Sequence, residues 1–486
     1  MNILFATSEA VPLAKTGGLA DVAGALPKAL RQRGVDARVV LPKYAEIKAE
    51  YTEQFERIAE FTVGVGWRLQ YCGLLKAEID GVIYYLIDNE FYFKRKGLYG
   101  YGDDAERFVF FCLAVMEAAR YMEFHPDIVH CHDWQTGLIP FLLKTKHALD
   151  PAWAYAKSVF TIHNLKYQGL FAIDLLKDLI GVGDDMFQAG SLEFHGAGSC
   201  MKGGLLYGDK LTTVSGSYAE EIQTEYYGER LDSLLRYRSG DLIGIVNGID
   251  DELFDPMNDP AIIAPYRNSL ARKRRNKLEL QLELGLPQSE TVPLVGIVSR
   301  LVEQKGFDLI EATFDELLEE DIQFVILGSG EERYERFLQD AAHRHPGKVA
   351  VWLGYDDGLA RRIYAGSDMF AMPSQFEPCG LSQLLALRYR SVPIVRETGG
   401  LKDTVHAYNE YTGEGNGFSF THYNAHDYMN TVRRAVTFYH NEEAWKQIVE
   451  NGAKDDLSWN RSAKAYVSVY SELLAHRKER EAWPVI

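Results

Sequence analysis

The sequence predicts an α/β protein of two domains, each a mostly parallel sheet with helices on both faces. Three observations carry that expectation. Short, wholly apolar runs recur along the chain and read as strands buried on both faces. They alternate with stretches whose apolar residues recur at helical spacing. The same turn also stands in each half: Thr16-Gly17-Gly18-Leu19-Ala20-Asp21 and Thr398-Gly399-Gly400-Leu401-Lys402-Asp403 agree at five of six positions. At 486 residues the chain is too long for one core.

The first half, residues 1–245, opens with Ile3–Ala6, a strand. Leu19, Val22, Ala23, Leu26 and Leu30 then mark a helix. Further strands are expected at Ala37–Leu41, Ile128–His130, Val159–Ile162 and Leu211–Val214. A β-rich insert at about 61–88 contains Leu74–Ile79 and Val82–Ile87 around Asp80-Gly81, a two-residue hairpin turn. A hinge is expected near Phe254-Asp255-Pro256-Met257-Asn258-Asp259-Pro260. A helix at about 270–284 follows, ended by Gly285 and Pro287. The second half, 246–457, restarts the alternation with strands at Val292–Val298, Gln323–Leu327, Val349–Leu353, Met369–Met372 and Val392–Val395. The C-terminal helix of 458–486, with Trp483-Pro484 near its end, is expected to pack back on the first domain.

Composition narrows the function. A net charge of −17 argues against nucleic-acid and anionic-membrane surfaces. The one basic run, Arg272-Lys273-Arg274-Arg275, reads as a solvated helix face. No apolar run approaches the roughly 20 residues that span a membrane. The N-terminus lacks the basic start of a signal peptide, and Glu9 interrupts its apolar run. Five cysteines (Cys72, Cys112, Cys131, Cys200, Cys379) with no Cys-x-x-Cys pattern point to free thiols in a reducing cytoplasm. Aromatic residues are 12% of the chain, enough to offer faces for sugar rings as well as a core.

The motifs lie at the carboxyl ends of strands, where such sheets bind ligands. Lys15-Thr16-Gly17-Gly18 joins a strand to a helix; its amides and Lys15 form a candidate phosphate site. His130-Cys131-His132-Asp133-Trp134 runs out of a strand into polar residues. Alternation points His130 and His132 the same way, as metal ligands or as partners of sugar hydroxyls. Thr161-Ile162-His163-Asn164 ends the next strand. Arg300 and Lys305 share one loop, a pair suited to a diphosphate. Gly328-Ser329-Gly330 lacks the third glycine of a dinucleotide fingerprint. Pro373-Ser374-Gln375-Phe376-Glu377-Pro378-Cys379-Gly380-Leu381 places a carboxylate on a loop, and Gly380 is expected to open a helix.

Taken in order, Lys15-Thr16-Gly17-Gly18-Leu19, His132-Asp133-Trp134, Ser299-Arg300-Leu301 with Gln304-Lys305-Gly306, Glu377-Pro378-Cys379-Gly380-Leu381 and Thr398-Gly399-Gly400-Leu401 resemble bacterial glycogen synthase and plant starch synthase. The resemblance covers nearly the whole chain. It implies the glycosyltransferase-B fold, two Rossmann-like domains facing a deep cleft. It further implies retaining transfer of glucose from ADP-glucose to the non-reducing end of an α-1,4-glucan such as glycogen. Glu377, His163, Lys305 and Arg300 are then the catalytic group. The donor site comprises Lys15, Gly18, Asp21, Asn247, Arg300, Lys305, Tyr355, Cys379, Gly380, Leu381, Thr398, Gly399 and Gly400, with Tyr355 stacking on adenine. Cys379 reads equally as a small buried residue. His132, Asp133 and Trp134 fall on the acceptor side. Many retaining enzymes of this fold carry a second glutamate eight residues after the first; Leu385 stands there, with Gln383 nearby, which counts against a carboxylate pair.

No Asp-x-Asp spacing occurs, so no metal or other cofactor is expected. The alternatives are UDP-glucose as donor, another acceptor, phosphorolysis with a pyridoxal cofactor, or a non-catalytic glucan-binding protein. A neutral glucan alone would not require Lys15, Arg300 and Lys305. Oligomeric state is left open, a homo-oligomer included.

Overall fold

The computed structural model describes residues 1–188 and 190–481. Trp483-Pro484 lies outside the described residues. The chain divides into two compact units, residues 1–247 together with the C-terminal stretch from Trp459, and Gly248–Ser458. Among the described residues no helix is long and apolar enough to cross a membrane.

The first unit holds a nine-stranded sheet. Its strands are β1 (Asn2–Ala6), β2 (Asp36–Pro42), β3 (Glu56–Val65), β4 (Arg68–Ile79), β5 (Val82–Asp88), β6 (Ile128–His132) and β7 (Lys157–Ile162). Three short strands, β8 (Leu170–Phe171), β9 (Glu193–Phe194) and β10 (Ala197–Ser199), form a separate antiparallel sheet. β11 (Lys210–Thr213) and β12 (Leu242–Gly244) complete the main one, in the order β12-β11-β7-β6-β1-β2-β5-β4-β3. All pairs are parallel except β3 with β4 and β4 with β5.

Ile3, Leu4, Phe5 and Ala6 are wholly buried, as a central strand covered on both faces requires. The β4–β5 turn, Asp80-Gly81, has φ of 50° and 76°, the doubly left-handed turn expected of Asp-Gly. β3 begins at Glu56, ahead of the expected insert, because this edge strand is largely exposed and carries little apolar signal.

Helix Gly18–Arg31 buries the predicted Leu19, Val22, Ala23, Leu26 and Leu30. Helix Trp459–Glu481 packs beside it, and Arg33 donates to Asn460 Oδ1 at 2.7 Å. The last helix also reaches the sheet. Tyr470 is fully buried, and its Oη lies 2.8 Å from His130 Nδ1.

The ends of β6 and β7 form a buried polar stack. His130 Nε2 lies 2.6 Å from Thr161 Oγ1. His130 and His132, alternate residues of β6, stack at 4.3 Å between ring centroids. His132 Nδ1 lies 2.9 Å from His163 Nε2. Burial holds His130 and His132 well below the ordinary imidazole range and His163 down to about 3. Burial also pushes Asp133 up to about 7, against the pull of the His163 and Asn164 amides.

The second unit has a six-stranded, all-parallel sheet: β13 (Leu294–Val298), β14 (Gln323–Gly328), β15 (Val349–Leu353), β16 (Met369–Met372), β17 (Val392–Arg396) and β18 (Phe418–Phe420). Their order is β15-β14-β13-β16-β17-β18. Gly328-Ser329-Gly330 packs on the Ser299–Leu301 backbone, where a Cβ on Gly328 would stand 1.9 Å from the Ser299 carbonyl oxygen.

Helix Leu270–Glu283 corrects the reading of the basic run. Arg272 and Arg275 are exposed, but Lys273 is 4% exposed. Its Nζ donates to the carbonyls of Tyr364, Ala365 and Tyr389 and to Ser391 Oγ, at 2.8–3.2 Å. Burial lowers its pKa to about 7. Lys273, Asn276, Lys277 and Leu280 form the inward stripe, and Lys277 pairs with Asp368 at 2.6 Å.

Two outcomes follow for the first unit. Tyr470→Phe leaves His130 Nδ1 buried without its partner and lowers stability by about 1–3 kcal/mol, measurable by urea unfolding. The second outcome is acid sensitivity. The histidines charge in the unfolded chain as pH falls through about 6.5, while His163 in the fold resists to about 3. The unfolded state therefore binds more protons there, and stability is lost on acidification. Asp133 opposes this: raised from 3.8, its contribution is present below that value and lost as pH rises toward 7. Glu9, raised by burial as well, acts in the same sense as Asp133, but three buried histidines outweigh the two carboxyls, so the urea midpoint of this unit falls between pH 7 and pH 5.

Candidate functional site

Each sheet reverses strand order at one place, and such switch points open a crevice at the strands' carboxyl ends. In the second unit the reversal lies between β13 and β16. The loop after β13 carries Arg300 and Lys305, and the loop after β16 carries Glu377. Lys305 Nζ lies 2.6 Å from Glu377 Oε2, with side-chain exposures of 16% and 9%. Ser374 Oγ donates to the same oxygen at 3.1 Å. Arg300 is exposed on its loop.

The two loops are tied together by backbone. Gln375 N donates to Gln304 O at 2.9 Å, and Gln304 Nε2 donates to Phe376 O at 3.3 Å. Gly306 has φ of 82°, and a Cβ there would stand 2.2 Å from the Pro373 carbonyl oxygen.

The Thr398-Gly399-Gly400 turn packs against the Glu377 loop. The Gly400 amide donates to Glu377 O at 3.1 Å and Pro378 O at 3.2 Å. A Cβ on Gly399 or Gly400 would lie 2.0 Å from the carbonyl oxygen of Glu377 or Cys379 respectively. These glycines thus permit close backbone contact, and the Gly400 amide is already committed to protein carbonyls. This corrects the picture of open amides at that turn. Gly380 does not open a helix either: it has φ of 73°, and the helix spans Ser382–Arg388. Gln383, buried within it, donates to Cys379 O and Gly380 O at 3.0 and 2.9 Å. Cys379 is 6% exposed, and Leu381 is half-buried. Tyr355 lies just past the end of β15 with its ring 76% exposed.

In the first unit the reversal lies at β1, between β6 and β2. Lys15 pairs with Asp21 at 2.7 Å, both partly exposed, and Gly18 is exposed. The Thr16 and Gly17 amides, however, donate to the carboxylate of Glu9. In the sequence Glu9 stands out only as a break in the apolar N-terminal run; a carboxylate six residues before Lys15 in a short loop is the signal for this contact. Asn247 is 4% exposed, and its Oδ1 is buried with no partner among the described residues.

Past β6, Asp133 has φ of 56°, and its Oδ1 accepts from the His163 amide at 2.7 Å. His130 is no metal ligand, since both its ring nitrogens are engaged by Tyr470 and Thr161. Among the described residues no three His, Cys, Asp or Glu side chains gather into a metal-binding group.

Trp134 packs edge-on to Phe108 and tilted against Phe171. It lines a groove of about 530 Å³ with Tyr101, Tyr167, Gln168, Phe171, Glu229 and Arg230 among its walls. Gln168 is 8% exposed; its Nε2 donates to Glu229 O, while Oε1 is buried with no partner among the described residues. Apart from Trp134, the sequence offered no signal for this groove, because its walls come from five separate stretches.

Comparison with known proteins agrees with this geometry. A family model described as the starch synthase catalytic domain matches residues 2–237. One described as glycosyl transferases group 1 matches residues 285–455. The glycogen synthase of Geobacillus thermodenitrificans is 54% identical, over 98% of both chains. That of Clostridium novyi is 53% identical, over 98% of this chain and 99% of its own. The catalytic domain of starch synthase IV from Arabidopsis thaliana, solved with ADP and acarbose, is 33% identical. It covers 98% of this chain and 99% of its own, with a TM-score of 0.89. Sucrose-phosphate synthase from Thermosynechococcus elongatus, 16% identical with a TM-score of 0.63, shares the fold alone. With half its residues identical over nearly its full length, the chain belongs to the glycogen synthase and starch synthase family and is a glycosyltransferase of the glycosyltransferase-B fold.

Proposed function

We propose that this protein transfers glucose from ADP-glucose to the non-reducing end of an α-1,4-glucan, with retention at the anomeric carbon and release of ADP. The Lys305–Glu377 pair at the second unit's switch point, with Arg300 on the same loop as Lys305, is the observation that carries the reading. A nucleoside diphosphate leaves with charge growing on a phosphate oxygen, and fixed cations stabilise that charge. Arg300 and Lys305 supply them, and the family resemblance gives Lys15 a diphosphate-binding role as well.

Glu377 receives the donor sugar's hydroxyls. Held by Lys305 and Ser374, its carboxylate is oriented before substrate arrives. With Leu385 and Gln383 in place of a second carboxylate, the acceptor attacks on the face that the diphosphate leaves. His163, uncharged because it is buried, steadies the sugar through its backbone carbonyl. Tyr355 offers its exposed ring to adenine, and the unpartnered Asn247 Oδ1 suits a ligand donor. Asp21, Cys379, Gly380, Leu381, Thr398, Gly399 and Gly400 shape the donor site around them. His132 and Asp133 brace the acceptor side. The groove of Trp134, with aromatic faces and the unpartnered Gln168 Oε1, suits a neutral sugar chain. Fixed cations stand in place of a divalent metal. The five buried free thiols support a cytoplasmic location.

Three measurements test this reading. Supplied with ADP-glucose or UDP-glucose and a glycogen primer, the protein releases diphosphate chiefly from the former, and only with primer present. Lys15→Ala raises KM for the donor by roughly one to two orders of magnitude, while Glu377→Ala chiefly lowers kcat, by about 10²–10³. Wild-type kinetics in both variants would remove the site assignment. Activity is unchanged by a chelator; its abolition would show that a metal takes part.

A further inference from the structure

Glu9 is a buried carboxylate, 4% exposed, at the foot of the Lys15 turn. Its Oε2 accepts from the amides of Thr16 and Gly17, the latter at 3.2 Å. Thr16 Oγ1 lies 3.0 and 3.1 Å from its two oxygens. Tyr99 Oη donates to Oε1 at 3.1 Å and is itself 2.7 Å from Ser8 Oγ. An acidic side chain of the protein thus occupies amides that a phosphate would otherwise be expected to take.

All four groups facing this side chain donate hydrogen bonds. The two amides can only donate, so Oε2 has to be an acceptor, while the hydroxyls of Thr16 and Tyr99 donate to the carboxylate but could equally accept. The amides of Gly18 and Leu19, which come next, open the helix and have no intrahelical acceptor, as at any helix start. Lys15, beside the pinned residues, is about half exposed.

We propose that Glu9 is a positioning residue for donor binding. Its carboxylate fixes the Thr16-Gly17 backbone, so that Lys15 and the Gly18 and Leu19 amides stand arranged for a diphosphate before it arrives. This rests on the reading of Lys15 as a diphosphate ligand. A loop ordered in the free protein does not have to be ordered by the ligand, and the difference appears as affinity. The effect therefore falls on the donor and not on the glucan.

The test uses the full chain, with ADP affinity measured by calorimetry and kinetics measured for both substrates. Glu9→Ala, which leaves both amides without their acceptor, weakens ADP binding roughly tenfold and raises the donor KM to match, leaving kcat and the glucan KM near wild type, and Glu9→Gln, whose side-chain oxygen still accepts from both amides, restores most of the affinity. Thr16→Ala, exposed and keeping both amides, weakens ADP binding by about two- to fivefold. A merely structural Glu9 would lower the folded fraction and leave the ADP dissociation constant unchanged. An unchanged or tightened constant in Glu9→Ala overturns the proposal; if that variant does not fold, an unchanged constant in Thr16→Ala does so. Lys15→Ala separates the two readings. If it weakens ADP binding while the Glu9 and Thr16 variants do not, only the positioning role fails. If it also has no effect, the donor reading fails as well.

Discussion

The second unit's site depends on one largely buried ion pair, Lys305 with Glu377. Each charge sits on a loop that leaves the sheet at its point of reversal, so the pair joins β13 to β16 where a ligand would enter. Removing either partner strands the other as a buried, uncompensated charge, which typically costs several kcal/mol. The pair also sets what each group can offer. An ammonium has three donors, so Lys305 keeps hydrogens to offer while bound to Glu377. Ser374 and the backbone ties keep the two loops in register.

The two Thr-Gly-Gly-Leu turns show what was legible and what was not. Strand, turn and helix could be read at both, because buried strands and helical spacing leave strong local patterns. What the amides bind could not be read. Acceptors for the Thr16 and Gly17 amides come from Glu9, and acceptors for the Gly400 amide are carbonyls of another loop. Glycine at such a turn signals either an open anion nest or close backbone packing, and only the fold decides. At Gly399 and Gly400 the carbonyls of Glu377 and Cys379 leave no room for a side chain.

Lys273 makes the same point for charge. Four basic residues in a row look like a wetted surface, yet the helix presents one of them to carbonyls at 364, 365 and 389. Its inward stripe does follow helical spacing, but Lys273, Asn276 and Lys277 are polar, so hydropathy hides it. His163, Arg300, Lys305 and Glu377 could be singled out because strand ends are where such sheets expose polar side chains. Gln168 and the groove around Trp134 were not, since their neighbours are distant in sequence.

The first unit is discontinuous, and its closing helix is made only after the whole of Gly248–Ser458. Tyr466 and Tyr470 fill its core only once the ribosome has passed residue 470. Domains generally fold as units while they emerge. Here the order is inverted: Gly248–Ser458 has all of its own segments in hand first, while the N-terminal sheet waits with the flank of helix Gly18–Arg31 uncovered. A message broken just past the codon for Ser458 would thus yield a finished second half beside an unsealed first one, a natural substrate for chaperones and proteases.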